Sequence, residues 1–578
     1  MPDLPTANHA REENPPIGNR RTSGTVVARF GLEWYVCVGT TVIAVCLHVV
    51  RLFHAGALWR DEVGQVQLAT LPTLRELWQM LTHDSFPLLF PLLTRLWAGL
   101  GFGDTDCGLR VLGVAIGIGM LATLWWVTQV LGRRKPLVAL GFLAVNATAV
   151  QWGDSIRAYG LGALLLLITL GSVWRLVERP STARFLAASA FGVLSVQCLY
   201  QNAFLLAAIC GSATLVCLRH RHFRTALLCI IAVVPAWISL LPYVGGVRES
   251  QSWWIVEKAG FRPGFAWASF SDAFGTPPWL GPLIWIGMFV FAVWTGLATL
   301  ERPVSRRDEI SVELPLFAGS TALIGAFGFF LFLWNVGLPT QPWYWLPVMP
   351  LIAVCVQVAL SEYVARNAAA WAWGVGVLVL VSVPPTIWRV VERQTNIDSV
   401  AHILNERVDE ADLVVVLPWY LGVSFNRYYN GAAEWITIPP IADHRFHRYD
   451  LLKEKLAASD PLGPVLERVR QTLRAGKKVW IVGILPRPQP GETGVPRLPP
   501  APQSRWGWFD EPYNYAWGRQ TRHSIETAAT KIELIVETGK AKRVSRYENV
   551  GLLVASGYRF GTFPGAAATG FSGESAPK

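Results

Sequence analysis

The stretch FGLEWYVCVGTTVIAVCLHVVRLFHAGALWRDEVGQVQLAT, residues 30–70, joins a long apolar run to a cluster of charges. The run up to His54 is long enough to cross a bilayer as a helix, which takes about 20 residues. It lacks a small-residue cleavage site, so it predicts a retained first membrane span rather than a signal peptide. Arg60, Asp61 and Glu62 follow shortly after it. Because ions at a bilayer cost free energy, their position indicates a functional site or a solvated turn.

The composition of the chain agrees with a membrane protein. Of its 578 residues, 52% are hydrophobic and 16% are charged, whereas soluble proteins carry about 25% charged residues. This deficit, together with many long apolar runs, predicts a polytopic membrane protein. The net charge of +11 is explained by membrane topology, and no nucleic-acid partner is expected. The eight cysteines show no zinc-type spacing and are interpreted as small core residues.

Eleven membrane spans are predicted from the apolar runs. They lie at 30–54, 106–131, 136–152, 158–176, 184–200, 202–218, 225–243, 280–300, 313–334, 343–361 and 369–388. Basic loops such as 132–135, 218–224 and 301–309 fall on every second connection, on the side of the basic N-terminal tail. By the positive-inside rule this side is the cytoplasm. A multi-pass protein of the cytoplasmic (inner) membrane is therefore expected, with its N-terminus cytoplasmic and Asp61 outside.

Three regions are expected from the changes of composition along the chain. Residues 1–28 are polar and predict a disordered cytoplasmic tail. Residues 29–390 predict a transmembrane domain whose first outer loop, 55–105, holds the acidic pair and two helices at the membrane surface. One of these helices is predicted at 68–81, and the other is short and apolar. Residues 391–578 alternate helical and strand patterns, which predicts an extracytoplasmic α/β domain.

An ordered set of short motifs on the outer face resembles the GT-C superfamily of membrane glycosyltransferases. The motifs are Asp61-Glu62, THDSFPLL (82–89) with His83, FGDTDCGLRVLG (102–113) with Asp104 and Arg110, DSIRAYGLGAL (154–164) with Arg157 and Tyr159, and TQPWYWLPVMP (340–350) with Tyr344. The resemblance is strongest to the branch that contains protein O-mannosyltransferases and lipid A aminoarabinose transferases. In the last motif Trp343 stands where that branch carries an arginine.

This resemblance implies a fold and an activity. The fold is a polytopic α-helical membrane protein of the GT-C type, with about 11 spans, a transmembrane catalytic domain and a C-terminal extracytoplasmic α/β domain. The activity is transfer of a sugar, with inversion expected, from a polyprenyl-phosphate donor. The acceptor is a lipid, glycan or protein of the cell envelope outside the cytoplasm. The implied partners are this lipid-linked donor, the acceptor and the bilayer.

The residue types of the motifs suit this chemistry. Asp61 is the predicted general base for the acceptor hydroxyl, and Glu62 is predicted to orient Asp61 or the acceptor. The leaving phosphate calls for cations and hydrogen-bond donors. The predicted substrate-binding residues are Arg60, His83, Asp84, Arg110, Arg157, Tyr159 and Tyr344. No metal ligands are assigned, but the cluster of His83 with three carboxylates leaves a divalent cation open as a cofactor.

Two interpretations without catalysis stay open. One is a lipid or sugar transporter or flippase, and the other is a structural subunit whose α/β domain binds partners. In these cases Asp61 and Glu62 only solvate a turn and cap a helix, while Arg110 and Arg157 are snorkelling cations at helix ends. Transporters often carry ionisable groups at mid-membrane, whereas the charges here collect at the outer ends of the spans. The sequence therefore favours an enzyme.

Overall fold

The structure is a computed structural model that describes residues 31–559. Within that range it leaves out residues 133, 254–255, 257–259, 304–309, 493, 499–509 and 538–542. The predicted N-terminal tail, 1–28, lies outside the described residues, as does the end of the chain from residue 560. The described chain forms a helical bundle, residues 32–390, followed by a sheet region, residues 397–558.

The bundle contains eighteen α-helices within the described residues. They are α1 (Leu32–His54), α2 (Arg60–Ala69), α3 (Leu74–Met80), α4 (Leu89–Trp97), α5 (Asp106–Gly132), α6 (Leu137–Leu143), α7 (Ala147–Gly153), α8 (Ala158–Glu178), α9 (Thr182–Val196), α10 (Asn202–Arg219), α11 (Phe223–Ile238), α12 (Val244–Trp253), α13 (Pro263–Phe274), α14 (Leu280–Leu300), α15 (Leu314–Val336), α16 (Val348–Ala359), α17 (Ser361–Arg366) and α18 (Ala368–Val390).

Nine helical segments of the described chain are long and apolar enough to cross a membrane, so the protein is a multi-pass membrane protein. They are Leu32–His54, Asp106–Gly132, Ala158–Glu178, Asn202–Arg219, Phe223–Trp253, Leu280–Leu300, Ile310–Val336, Pro342–Ala359 and Ala368–Val390. The other two predicted spans are shorter helices. The span at 184–200 corresponds to the 15-residue α9, and the span at 136–152 is divided into α6 and α7.

The break between α6 and α7 has a local cause. The side chain of Asn146 accepts a hydrogen bond from the backbone N–H of Ala149 at 2.9 Å and thereby caps α7. The hydroxyl of Thr386 donates to the carbonyl oxygen of Val145 at 2.5 Å. Backbone groups freed inside a bundle need such partners, because no water is available to them there.

The predicted first outer loop, residues 55–105, differs from its prediction in one respect. The predicted surface helix at 68–81 is interrupted, and α2 already begins at Arg60. Pro72 lies between α2 and α3, and Thr73 caps α3 by accepting a hydrogen bond from the backbone N–H of Glu76 at 3.1 Å. Proline has no N–H to continue a helix, which explains the interruption. The second predicted helix is the short apolar segment Leu89–Phe102.

The sheet region has the α/β architecture that the sequence predicts. Its strands are β1 (Leu413–Leu417), β2 (Glu434–Thr437), β3 (Val479–Gly483), β4 (Ala529–Val536) and β5 (Leu552–Tyr558), in the order β2-β1-β3-β5-β4. Its helices are α19 (Ile397–Arg407), α20 (Leu421–Tyr428), α21 (Tyr449–Ala457), α22 (Gly463–Arg474) and α23 (Glu511–Ala528). Strand β1 runs parallel to β2 and β3, whereas β5 is antiparallel to β3 and β4.

Helices cover both faces of this sheet. Val414 and Val416 of β1 pack in one cluster with residues of α19 and α20. Leu413 and Val415 pack in a second cluster with residues of α21, α22 and α23. Burial on both faces explains why β1 reads as a continuous apolar run.

The sheet region packs on the end of the bundle that carries Arg60. The hydroxyl of Tyr428 accepts a hydrogen bond from the backbone N–H of Leu58 at 2.8 Å and donates one to the carboxylate of Asp106 at 2.7 Å. At the opposite end of α1, Lys135 lies 3.1 Å from Glu33. The acidic pair and the sheet region therefore share one side, and Lys135 lies on the other.

A reporter that is active only outside the cytoplasm should be active when it is fused after Lys578. The sheet region lies on the side of Arg60, and the positive-inside rule places that side outside. The control is a fusion after Lys135, which should be inactive. Reporter activity in cells checks this, and the reverse pattern of activity would contradict the orientation.

Candidate active site

A cavity of about 730 Å³ lies between the bundle and the sheet region. We call it the polar cavity. Its bundle wall includes Arg60, Asp61, His83, Asp84, Arg157, Tyr159, Asp272, Trp343 and Tyr344. Its wall from the sheet region includes Tyr420, Phe446, His447, Tyr449, Asp510, Arg546 and Tyr547. Seven of the predicted site residues therefore line a single cavity.

Asp61 presents its carboxylate to the polar cavity from the first turn of α2. Its side chain is 24% exposed, and Oδ1 lies 3.8 Å from Nε of Arg60 and 3.9 Å from Nε2 of His447. Carboxylates are stabilised in the first turn of a helix by the helix dipole. Asp61 is thus an ionisable group that a ligand in the cavity can reach.

Glu62 points away from the polar cavity and is fully buried. Consecutive helical residues point about 100° apart, so Asp61 and Glu62 cannot face the same space. The carboxylate of Glu62 lies 3.1 Å from the guanidinium of Arg110. It also accepts hydrogen bonds from the backbone N–H groups of Ile156 at 2.9 Å and Trp59 at 3.4 Å. Neither Glu62 nor Arg110 is among the described residues that line the cavity.

Arg157 is held at the cavity wall by three contacts. Its guanidinium donates to the backbone carbonyl of Asp61 at 3.1 Å and lies 3.3 Å from the carboxylate of Asp84. The same group lies over the ring of Phe86, 4.4 Å from its centroid. Glu62 accepts a hydrogen bond from the backbone N–H of Ile156, the residue before Arg157. The side chain of Arg157 and the backbone next to it are therefore both held in place.

Three buried polar atoms near Arg157 lack partners within the described part of the chain. They are Nε of Arg157, Oδ2 of Asp84 and Nδ1 of His83. Burial raises the pKa of the Asp84 carboxyl, although Arg157 opposes this rise. An unpaired buried polar atom costs about 1–3 kcal/mol. All three residues line the polar cavity, so this cluster is suited to bind a polar ligand.

His83 and Arg60 are fixed by aromatic rings. The His83 ring stacks between Trp253, at 5.1 Å, and Phe446, at 6.3 Å. Burial lowers the pKa of His83, which favours the neutral imidazole. The guanidinium of Arg60 lies 4.7 Å from the ring centroid of Tyr420 and donates to the backbone carbonyl of Tyr547 at 2.8 Å. Both side chains therefore reach the cavity in defined positions.

A second cavity of about 580 Å³ adjoins the first, and we call it the apolar cavity. Its apolar lining includes Trp78, Leu81, Phe86, Leu199, Tyr243, Val247, Phe332 and Val336. The two cavities share Asp84, Ser85, Tyr159, Leu338 and Tyr344. A polar space and an apolar space thus meet beside Arg157.

Several residues of the polar cavity come from the sheet region and were not predicted. His447 and Tyr449 follow β2 in the stretch HRFHRYD, 444–450, and Arg546 donates to Asp272 at 2.9 Å. The sequence signal was the density of aromatic and basic residues in 444–450. A single sequence does not show that this loop packs against the bundle wall of the polar cavity.

Trp343, which replaces the arginine of the resembled branch, is buried among aromatic rings. Its ring lies 4.4 Å from that of Trp152, 4.9 Å from that of Tyr547 and 5.5 Å from that of Trp59. A charge could not be buried there without a partner. This position therefore supports the floor of the cavity and supplies no cation to it.

Of the four side chains considered for a divalent cation, Asp61, His83 and Asp84 line the polar cavity, whereas Glu62 does not. Glu62 is turned towards Arg110, and the described residues contain no group of three His, Cys, Asp or Glu side chains that could hold a metal ion. A divalent cation as a cofactor stays a prediction.

Replacing Glu62 by alanine should destabilise the protein by about 3–5 kcal/mol, because it leaves Arg110 buried without its partner. Thermal unfolding of the detergent-solubilised protein measures this effect. The control is Glu362→Ala, which removes an exposed partner of Arg366 and should change little. Equal unfolding midpoints for Glu62→Ala and the parent would contradict the structural importance of the pair.

No family model matches the sequence, and no curated protein matches it. Solved structures do show similarity. ArnT from Cupriavidus metallidurans bound to undecaprenyl phosphate is 12% identical, with a TM-score of 0.48 over 78% of this chain and 93% of ArnT. The Archaeoglobus fulgidus oligosaccharyltransferase in complex with Zn and sulfate is 13% identical, with a TM-score of 0.39 over 70% of this chain and 62% of that chain.

Proposed function

We propose that this protein transfers a sugar from a polyprenyl-phosphate donor to a hydroxyl group of an acceptor outside the cytoplasm. One observation carries the proposal: the polar cavity with Asp61 and Arg157 meets the apolar cavity at Ser85, Tyr159 and Tyr344. A lipid-linked sugar has the same two parts, an isoprenoid chain and a polar head joined by a phosphate. The two cavities match these parts in order.

The donor binds with its phosphate at the junction. The isoprenoid chain next to the phosphate occupies the apolar cavity, where burial of apolar surface contributes about 25 cal/mol per Å². The phosphate lies beside Arg157, whose Nε has no partner among the described residues and can add a charge-assisted hydrogen bond. His83, whose buried Nδ1 lacks a partner among the described residues, supports the phosphate or the sugar. The sugar then extends into the polar cavity towards Asp61.

The transfer is a single displacement at the anomeric carbon. The acceptor oxygen forms the new bond to this carbon while its proton passes to Asp61. The bond between the anomeric carbon and the phosphate oxygen breaks, and its electron pair stays on the phosphate. Arg157 and Arg60 stabilise the charge that develops there. Attack opposite the leaving phosphate inverts the configuration, and Asp61 then releases its proton to water.

The acceptor enters from the side of the sheet region. Tyr420, Tyr449 and Tyr547 line that wall of the polar cavity, and tyrosines combine an apolar face with a polar end. Such a wall suits a hydroxylated molecule, whether the acceptor is a lipid, a glycan or a protein. Asp61 lies at the boundary between this space and the donor, where a base is needed.

A transporter or flippase is the alternative without catalysis. Substrate sites of secondary transporters typically lie near the membrane midplane. The residues that line both cavities come from the end of the bundle that carries Arg60 and the sheet region. This position favours a reaction at the membrane surface over passage through the bundle.

Replacing Asp61 by asparagine should lower turnover by about 10²–10⁴-fold, because it keeps the shape of the side chain and removes the base. Purified protein is assayed with a synthetic short-chain polyprenyl-phosphate sugar and an envelope extract as the source of acceptor. Binding of undecaprenyl phosphate should persist in the variant, since Asp61 does not contact the phosphate in this account.

The control for this assay is Asp409→Asn, a carboxylate of the sheet region outside both cavities, which should turn over like the parent. A near-parental rate for Asp61→Asn would sink the assignment of the base. A parent protein that releases no polyprenyl phosphate from any donor tested would sink the proposed function.

A further inference from the structure

The loop between β2 and α21 brings a second titratable side chain to Asp61. Residues 443–450 read DHRFHRYD, and Phe446 and His447 line the polar cavity. Arg448 binds Asp443 at 2.7 Å and Asp450 at 2.6 Å, so the two ends of this stretch are held together. The two ion pairs of Arg448 therefore hold the loop segment that carries His447 in place.

The imidazole of His447 has a fixed orientation. Its ring stacks on Tyr449, with 6.0 Å between the centroids, and forms a T-shaped pair with Trp419 at 6.1 Å. Its Nε2 points at Asp61, with 3.9 Å between Nε2 and Oδ1. Hydrogen bonds between such atoms are typically 2.7–3.2 Å long, so this distance is too long for a direct bond.

The gap between the two side chains fits one oxygen atom. An oxygen about 2.8 Å from each of two atoms that lie 3.9 Å apart forms hydrogen bonds of ordinary length with both. A hydroxyl group can donate one hydrogen bond and accept others. The acceptor hydroxyl of the proposed reaction has these properties.

Its surroundings favour the neutral form of the His447 imidazole. Burial lowers the pKa of His447 to about 4; Asp61 opposes this shift, while Arg60 and Arg157 add to it. A neutral imidazole with its proton on Nε2 is a hydrogen-bond donor that carries no charge. It can therefore hold a hydroxyl beside Asp61 without pairing with Asp61 as a cation.

We propose that His447 is a catalytic residue that binds and orients the acceptor hydroxyl together with Asp61. This inference rests on the proposed function. The hydroxyl donates its proton to Oδ1 of Asp61 and accepts a hydrogen bond from Nε2–H of His447. Its remaining lone pair is then directed at the anomeric carbon. His447 keeps its own proton throughout, so the proton balance of the transfer is unchanged.

The test compares two substitutions that separate hydrogen bonding from ring packing. His447→Phe keeps a planar ring and removes the donor, whereas His447→Gln keeps an N–H donor and removes the ring. The proposal predicts that His447→Phe lowers kcat about 10- to 100-fold, as misplacement of a reacting group does. His447→Gln should retain most of kcat. Turnover is measured with the short-chain polyprenyl-phosphate sugar and the envelope extract.

The matched control is His444→Phe. His444 lies in the same loop and packs against Trp435 of β2, with 4.3 Å between the ring centroids, and it is not among the described residues that line the polar cavity. This variant should keep the parental kcat. Binding of undecaprenyl phosphate and the thermal unfolding midpoint should match the parent in all three variants, because the phosphate and the fold do not depend on this hydrogen bond. If His447→Phe does not fold, His447→Leu takes its place with the same expectation.

The outcomes separate this inference from the proposed function. The role of His447 is overturned if a folded His447→Phe keeps the parental kcat. It is also overturned if His447→Gln and His447→Phe lose kcat equally. The role of His447 is supported if the parent turns over the lipid-linked sugar and only His447→Phe, which has no N–H group at this position, loses activity. A parent without any turnover overturns the proposed function and this role with it.

Discussion

The buried ion pair between Glu62 and Arg110 is the interaction on which the geometry of the site depends. Two buried charges cost free energy unless further hydrogen bonds satisfy them, and here such bonds are present. Arg110 donates to the backbone carbonyls of Gly56 at 3.0 Å and Ala57 at 2.7 Å, just before α2. Glu62 accepts from the backbone N–H of Ile156, just before Arg157. One ion pair therefore fixes both the helix that presents Asp61 and the turn that presents Arg157.

Further buried charges are paired at the ends of the spans on the side of Arg60. His48 of α1 lies 2.7 Å from Asp154, which begins the turn that leads to Arg157. Arg51 of α1 donates to the backbone carbonyl of Glu392 at 2.5 Å and to the side chain of Gln394, in the segment that leads to the sheet region. Ionisable residues within membrane spans are costly and pair with one another or with backbone carbonyls. The contacts of Arg51 hold the segment that leads to the sheet region against α1.

The sequence predicted the parts of this arrangement that depend on local pattern. Long apolar runs predicted most of the spans, and alternating helical and strand patterns predicted the α/β region. The motifs around Asp61 and Arg157 predicted residues of one wall of the polar cavity. A single sequence does not show which distant segments contact each other. The different directions of Asp61 and Glu62 depend on α2 beginning at Arg60, and the role of His447 depends on tertiary packing. The periodicity of the sequence predicts neither the direction of these side chains nor the role of His447, because both depend on how helices and loops pack in three dimensions.

The central claim is that a lipid-linked phosphate binds beside Arg157, where the polar and apolar cavities meet. The affinity of the purified protein for undecaprenyl phosphate tests it most directly. Loss of a charge-assisted hydrogen bond costs about 1.5–3 kcal/mol, so Arg157→Ala should bind this lipid about 10- to 150-fold more weakly than the parent. The control is Arg366→Ala, since Arg366 is an exposed arginine of α17, and it should leave the affinity unchanged. Equal affinities for Arg157→Ala and the parent would contradict the account and leave Arg157 as a structural cation.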